Sequence, residues 1–218
     1  MRSFGYLLVV SVCGVVAANA GDLTGTVYGA KSGTRIRDAV VVAVQKSEFG
    51  SSGPHVARAR TSQEGTFELP ALPKGLYGLC VHNLNGYLDP CQWGQESQVL
   101  IDQNGKHVEL VLQEGKRVSV SIKITNQVLD LMSKTDVPAV MPVIVADGRV
   151  CPLQLTKRDE SYLEFAITVP LRKSVRLRFN GPLAQTLRTS DGTMIDVDDF
   201  KIDTSEAKEQ GFSFAVLD

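Results

Sequence analysis

Between Gly25 and Tyr77 the chain is broken every few residues by glycine or proline, and this punctuation constrains the fold more than any other feature. The stretch reads G-T-V-Y-G, a polar turn, A-V-V-V-A-V, and later E-G-T-F-E-L-P-A-L-P-K-G-L-Y. Alternation of apolar and polar residues predicts strands at Leu23–Tyr28, Ala39–Lys46, His55–Thr61, Thr66–Leu69, Leu76–Asn83, Gln98–Asp102 and His107–Leu112. Seven short strands on this spacing predict a β-sandwich of about 100 residues. No helical period competes with them. Glu64-Gly65 and Asn104-Gly105 are tight-turn signals, the second being the strongest hairpin dipeptide in the chain.

Alternation also assigns faces. Along Leu76–Asn83, side chains of Tyr77, Leu79 and Val81 point one way, and Gly78, Cys80 and His82 the other. The first set makes the better core, which puts Cys80 on the outer face. Ala39–Lys46 differs, because Val40, Val42 and Val44 are as apolar as Ala39, Val41 and Ala43. A strand apolar on both faces is covered on both, here by the second half of the chain or by a partner.

Ahead of the sandwich, Arg2 precedes an apolar run from Tyr6 to Val16, and Ala18-Asn19-Ala20 supplies a small-x-small cleavage pattern. Residues 1–20 therefore read as a secretory signal peptide, cut before Gly21. The run falls short of the roughly 20 apolar residues of a membrane span. Val12 places a branched residue beside Cys13 where lipid attachment calls for a small one. No later run has membrane length, so an exported protein without a span is expected: periplasmic, at the cell surface, or secreted. With 23 basic and 24 acidic residues, the near-neutral balance argues against nucleic acid as a partner.

Three cysteines follow the cleavage site: Cys80, Cys91 and Cys151. In an oxidising compartment Cys80 and Cys91, which flank a turn-rich loop, are the natural pair, and one thiol is left over. Without a C-x-x-C or a histidine cluster, neither a metal nor a cofactor is expected.

From residue 115 a second set of strands is predicted, at Arg117–Thr125, Val140–Ala146, Val150–Thr156, Tyr162–Val169, Ser174–Asn180, Thr193–Val197 and Phe212–Leu217. Asn126–Lys134 reads as a short helical turn, and Pro142 marks its strand as an edge or a bulge. No internal repeat is evident. The expectation is an all-β chain of two consecutive β-sandwich domains, residues 21–114 and 115–218, the second of unrecognised family.

The series Gly25-Thr26-Val27, Asp38-Ala39-Val40-Val41, Glu64-Gly65-Thr66-Phe67 and Leu72-Pro73-Lys74-Gly75-Leu76-Tyr77 resembles the carboxypeptidase regulatory-like domain over about Gly21–Gln113. The resemblance implies a seven-stranded, prealbumin-like (transthyretin-like) sandwich, often grouped with carbohydrate-binding-like folds, and no catalytic residues. The segment C-V-H-N-L-N-G-Y-L-D-P-C-Q-W, Cys80–Trp93, is similar to a loop of exported bacterial proteins with this domain, which supports the Cys80–Cys91 bridge and implies a bacterial origin.

Four constellations invite a functional reading. His82 shares a face with Cys80 and is placed where Asp89 could join it in a catalytic dyad, but no nucleophile motif accompanies the pair, so a surface histidine is expected. Asp196, Asp198, Asp199 and Asp203 form an acidic segment that lacks the calcium-loop pattern. Arg172, Lys173, Arg176 and Arg178 make a basic edge that blocks strand pairing or meets a polyanion. Tyr87 and Trp93, on the cysteine-flanked loop, either stack on sugar rings or pack down, with Trp93 filling the space over Gly78. The chain is thus read as an exported, non-catalytic binding module, taking a polysaccharide through Tyr87 and Trp93, or as a structural or protein-interaction module of the cell envelope.

Overall fold

In a computed structural model the chain is described at residues 20–46, 55–82, 86–123, 125–134, 138–159, 161–197, 200–206 and 208–216. The expected signal peptide, apart from Ala20, lies outside these residues, as do Cys13, Asp198 and Asp199. The first half forms β1 (Ala20–Gly29), β2 (Val40–Gln45), β3 (Val56–Arg60), β4 (Thr66–Pro73), β5 (Gly75–His82), β6 (Ser97–Ile101) and β7 (Lys106–Leu112). They make a three-stranded sheet, β4-β1-β7, facing a four-stranded one, β3-β2-β5-β6. Leu23, Val27, Phe67, Tyr77, Leu79 and Val81 are among the buried residues between them. The inward positions of β5 are those that alternation assigns, and Tyr77 keeps its hydroxyl satisfied by donating to Pro73 O at 2.9 Å.

The second half forms β8 (Gly115–Lys123), α1 (Asn126–Lys134), β9 (Met141–Ala146), β10 (Arg149–Pro152), β11 (Gln154–Arg158), β12 (Tyr162–Pro170), β13 (Val175–Asn180), β14 (Leu187–Thr189), β15 (Phe200–Ile202) and β16 (Gln210–Val216). Its sheets run β10-β9-β13-β15 and β11-β12-β8-β16-β14. The protein is therefore nearly all β, two sandwiches in succession.

No sequence repeat was expected, yet the two halves share one topology. In the first, β1 lies between β4, antiparallel, and β7, parallel. In the second, β8 lies between β12, antiparallel, and β16, parallel. The opposing sheets correspond as well, β3-β2-β5-β6 to β10-β9-β13-β15, all antiparallel. The second half adds β11 and β14 as outer strands. Pairing order needs only alternation and turns, so it repeats without residue identity.

Four local expectations are corrected. Asn104-Gly105 and Glu64-Gly65 do turn the chain, but the strands they join belong to opposite sheets, so neither closes a hairpin. Pro142 lies in an inner strand; its carbonyl accepts from Leu153 N at 3.1 Å where β10 ends, and its missing N–H falls on that same side. The strand expected at Val150–Thr156 is two. Pro152 is the last residue of β10, and after Leu153 the chain crosses to the opposite sheet as β11. Thr193–Val197 forms no strand; β14 and β15 flank it instead.

Candidate functional site

The cysteine-flanked loop leaves β5 on its outer face, where Cys80 stands beside Val42 and His82 beside Val40. Cys80 and Cys91 form a disulfide with Cα atoms 5.3 Å apart. Val42 is buried on this face, so part of the second apolar surface of β2 lies beside the chain's own bridge.

Asp89 organises the turn that follows. One carboxylate oxygen accepts from Cys91 N at 2.9 Å and Gln92 N at 3.5 Å. Its carbonyl accepts from Trp93 N at 3.2 Å. The other carboxylate oxygen lies 2.6 Å from His82 Nδ1. Asp89 is buried and His82 is not. The hydrogen bond to Asp89 raises the His82 pKa above the ordinary histidine value against the opposing effect of burial. This His–Asp pair has an orienting carboxylate and a titratable ring, while the neighbouring Cys80 is tied up as a disulfide.

The turn throws Trp93 away from its own strand. The ring does not fill the space over Gly78, because the Lys46–Glu96 ion pair (2.7 Å) occupies it: a Cβ at residue 78 would meet Glu96 and Lys46. Trp93 instead belongs, with Leu88, to the core of the second sandwich, and only 7% of it is exposed. Its indole N–H donates to Thr168 O on β12 at 3.0 Å. Beside it the Cys151 thiol donates to Gln92 O at 3.3 Å. Burial pushes that thiol's pKa up. Gly94, at φ +71°, lets the Arg149 guanidinium lie where any side chain would stand. A single turn from one sandwich is thus fitted into the other.

Tyr87 is half-buried and packs against the first core, its ring over Gly29, while its backbone bridges to Glu114. Both aromatic rings proposed for sugar stacking are engaged by protein. Arg176 and Arg178 face outward from β13 as expected, with Lys173 3.2 Å from Asp147, but β13 is paired on both sides by β9 and β15, so these residues mark no edge and block no strand pairing. In the acidic segment, Asp203 accepts from Ser205 N at 2.9 Å and its carbonyl takes the ammonium of buried Lys116 at 2.5 Å. Alternation along β5 found the His82/Cys80 face. It offered no sign of Thr168, Arg149 or Cys151, which meet the loop from strands far away in sequence.

No family model matches the chain, and no curated relative does. Among solved structures, the chain is similar to the Bacillus anthracis TIE protein (13% identity, TM-score 0.35, 91% of this chain and 34% of that one). It is similar also to a streptococcal ancillary pilin (13%, 0.41, 92% and 63%) and to a DUF3823 family protein from Bacteroides uniformis (11%, 0.34, 73% and 88%). The chain spans less than two thirds of the first two. At such values the likeness carries no argument beyond the sandwich architecture already seen. No helix among the described residues is long and apolar enough to cross a membrane.

Proposed function

We propose that the protein is an exported, non-catalytic module of the cell envelope whose disulfide-held turn braces two sandwiches into a fixed arrangement. The observation that carries this reading is the burial of Trp93 in the core of the opposite sandwich. A disulfide suits an oxidising compartment, and the Asp89 turn spends its polar groups on shape. The division into residues 21–114 and 115–218, and membership of the first part in the carboxypeptidase regulatory-like group, belong to the same reading. Of the two roles expected from the sequence, the structural or protein-interaction one is favoured, since sugar stacking by Trp93 would require its ring to leave a core.

Spin labels on Lys74 and Lys201 test the brace through the distance distribution between the sandwiches. The oxidised protein is expected to give one narrow distribution, and Trp93→Ala a broad one. An equally broad distribution in the unmodified protein would end the proposal.

A further inference from the structure

The outer face of the five-stranded sheet carries a cleft that the brace does not use. It measures about 460 Å³ and is lined by Ser121 and Lys123 of β8, Tyr162 and Glu164 of β12, Ser213 and the core residue Phe214 of β16, and Ser161 before β12. That volume lies within the range of small-ligand sites, about 300–1,000 Å³.

Register explains the shape. Lys123 pairs with Tyr162, and Ser121 with Glu164 on one side and Ser213 on the other. All five side chains stand on the face opposite the core positions Val120 and Ile122. Across β8 and β16 the floor is therefore serine, while β12 raises a ring and a carboxylate beside it.

The ring is held in place from behind. Lys157 of β11 donates to Tyr162 Oη at 2.6 Å, its ammonium sits 4.9 Å from the ring centroid, and Asp159 lies 3.4 Å from the same ammonium. That contact favours this orientation of Tyr162, which lowers the ordering cost of binding. The polar groups in front of it are uncommitted. Among the described residues, the Lys123 ammonium, the Glu164 carboxylate and the Ser121 and Ser213 hydroxyls have no hydrogen-bond partner.

We infer that this cleft is a saccharide-binding site for neutral glycan chains. An aromatic face takes the C–H side of a sugar ring. A carboxylate accepts from two vicinal hydroxyls, an ammonium donates to a third, and such charge-assisted bonds are the strong ones. One cation and one carboxylate leave the lining neutral, which disfavours phosphorylated or acidic chains. Adjacent strands about 4.8 Å apart present these groups as an open lattice on which an extended chain can lie. This inference stands apart from the brace: Thr168, which accepts from Trp93, does not line the cleft, although Phe214 there belongs to the same core as Trp93.

The test is a titration of the ¹⁵N-labelled protein with cello-, chito-, malto- and xylo-oligosaccharides, followed by amide shifts. One series is expected to move the amides of Ser121, Lys123, Tyr162, Glu164 and Ser213. Tyr162→Ala and Glu164→Gln should each weaken binding tenfold or more. Tyr162→Phe, which keeps the ring but loses the Lys157 bond, should weaken it less. Each variant is checked for an unchanged spectrum elsewhere. Absence of shifts with all four series, shifts centred on Tyr87 instead, or full affinity in folded Tyr162→Ala would each overturn the inference.

Discussion

Replacing Trp93 by alanine should cost the second sandwich its stability, although the residue belongs to a loop of the first. An aromatic side chain of this kind buries roughly 150–250 Å², which at about 25 cal/mol per Å² amounts to around 4–6 kcal/mol as an upper figure. Measured truncations of buried Trp and Phe cluster at about 3–5 kcal/mol. The lost indole donor to Thr168 O adds about 1 kcal/mol more. A total near 4 kcal/mol, spread over about 100 residues, lowers a melting temperature by on the order of 20 °C. Calorimetry suits the measurement, because the chain has one tryptophan and the variant abolishes its fluorescence. The unmodified protein should show coupled melting of both sandwiches. Trp93→Ala should separate them, the earlier transition coinciding with loss of amide protection on β8 and β12. Trp93→Phe, which keeps most of the packing, should lose only about 1 kcal/mol. A surface ring would behave otherwise, since exposed substitutions stay within about 0.5 kcal/mol. Trp93→Ala melting within a few degrees of the parent, in one transition, would refute the reasoning.

Three further outcomes follow from the same loop. The folded-state pKa of His82 is raised by Asp89, so the stabilisation this pair supplies is fully present below the unfolded value of about 6.5 and is lost as pH climbs through the folded value. Urea midpoints should therefore fall from pH 6 to pH 8, and His82→Asn should flatten that slope; an unchanged slope would show that the pair contributes nothing. Opening the Cys80–Cys91 loop, with its separation of 11 residues, should destabilise the first sandwich by about 3 kcal/mol on a chain-entropy basis, read from denaturation of Cys80→Ser/Cys91→Ser. Cys151, buried and with its thiol pKa raised, should resist alkylation in the native protein and react at least tenfold faster in Trp93→Ala; equal rates would mean that Trp93 does not shield it.

Much of the architecture was legible wherever one physical rule acted alone. Period-two alternation put Tyr77, Leu79 and Val81 inward and Cys80 and His82 outward, because a one-residue slip would bury the wrong set. Asn126–Lys134 forms a helix over the range expected. Failures came where a local signal had to be turned into a long-range pairing. Asn104-Gly105 announces a turn but not which sheet the next strand joins. Pro142 excludes one hydrogen bond, and the neighbouring strand simply ends there, which no residue of β9 itself declares. Trp93 was the hardest case. Gly78 offered room on its own strand, and neither the Lys46–Glu96 pair that fills it nor the distant Thr168 carbonyl is visible from local spacing. Tyr162 was legible only as a strand residue, because its cross-strand partner Lys123 and the cleft residue Ser213 lie on strands about 40 and 50 residues away by the numbering.

The parallel pairing of the first and last strands in each sandwich has a mechanical consequence. In the first, seven paired positions run from Leu23↔Lys106 to Gly29↔Leu112, and in the second the pairing runs from Gln210↔Val118 to Ala215↔Lys123. Because the two strands point the same way, the chain enters at one end of the sandwich and leaves at the other. Tension along the chain therefore slides these strands past each other, loading all their hydrogen bonds at once instead of peeling them singly. Each sandwich is built to yield late and abruptly under a pull, with its resistance set by an unfolding rate and not by an equilibrium.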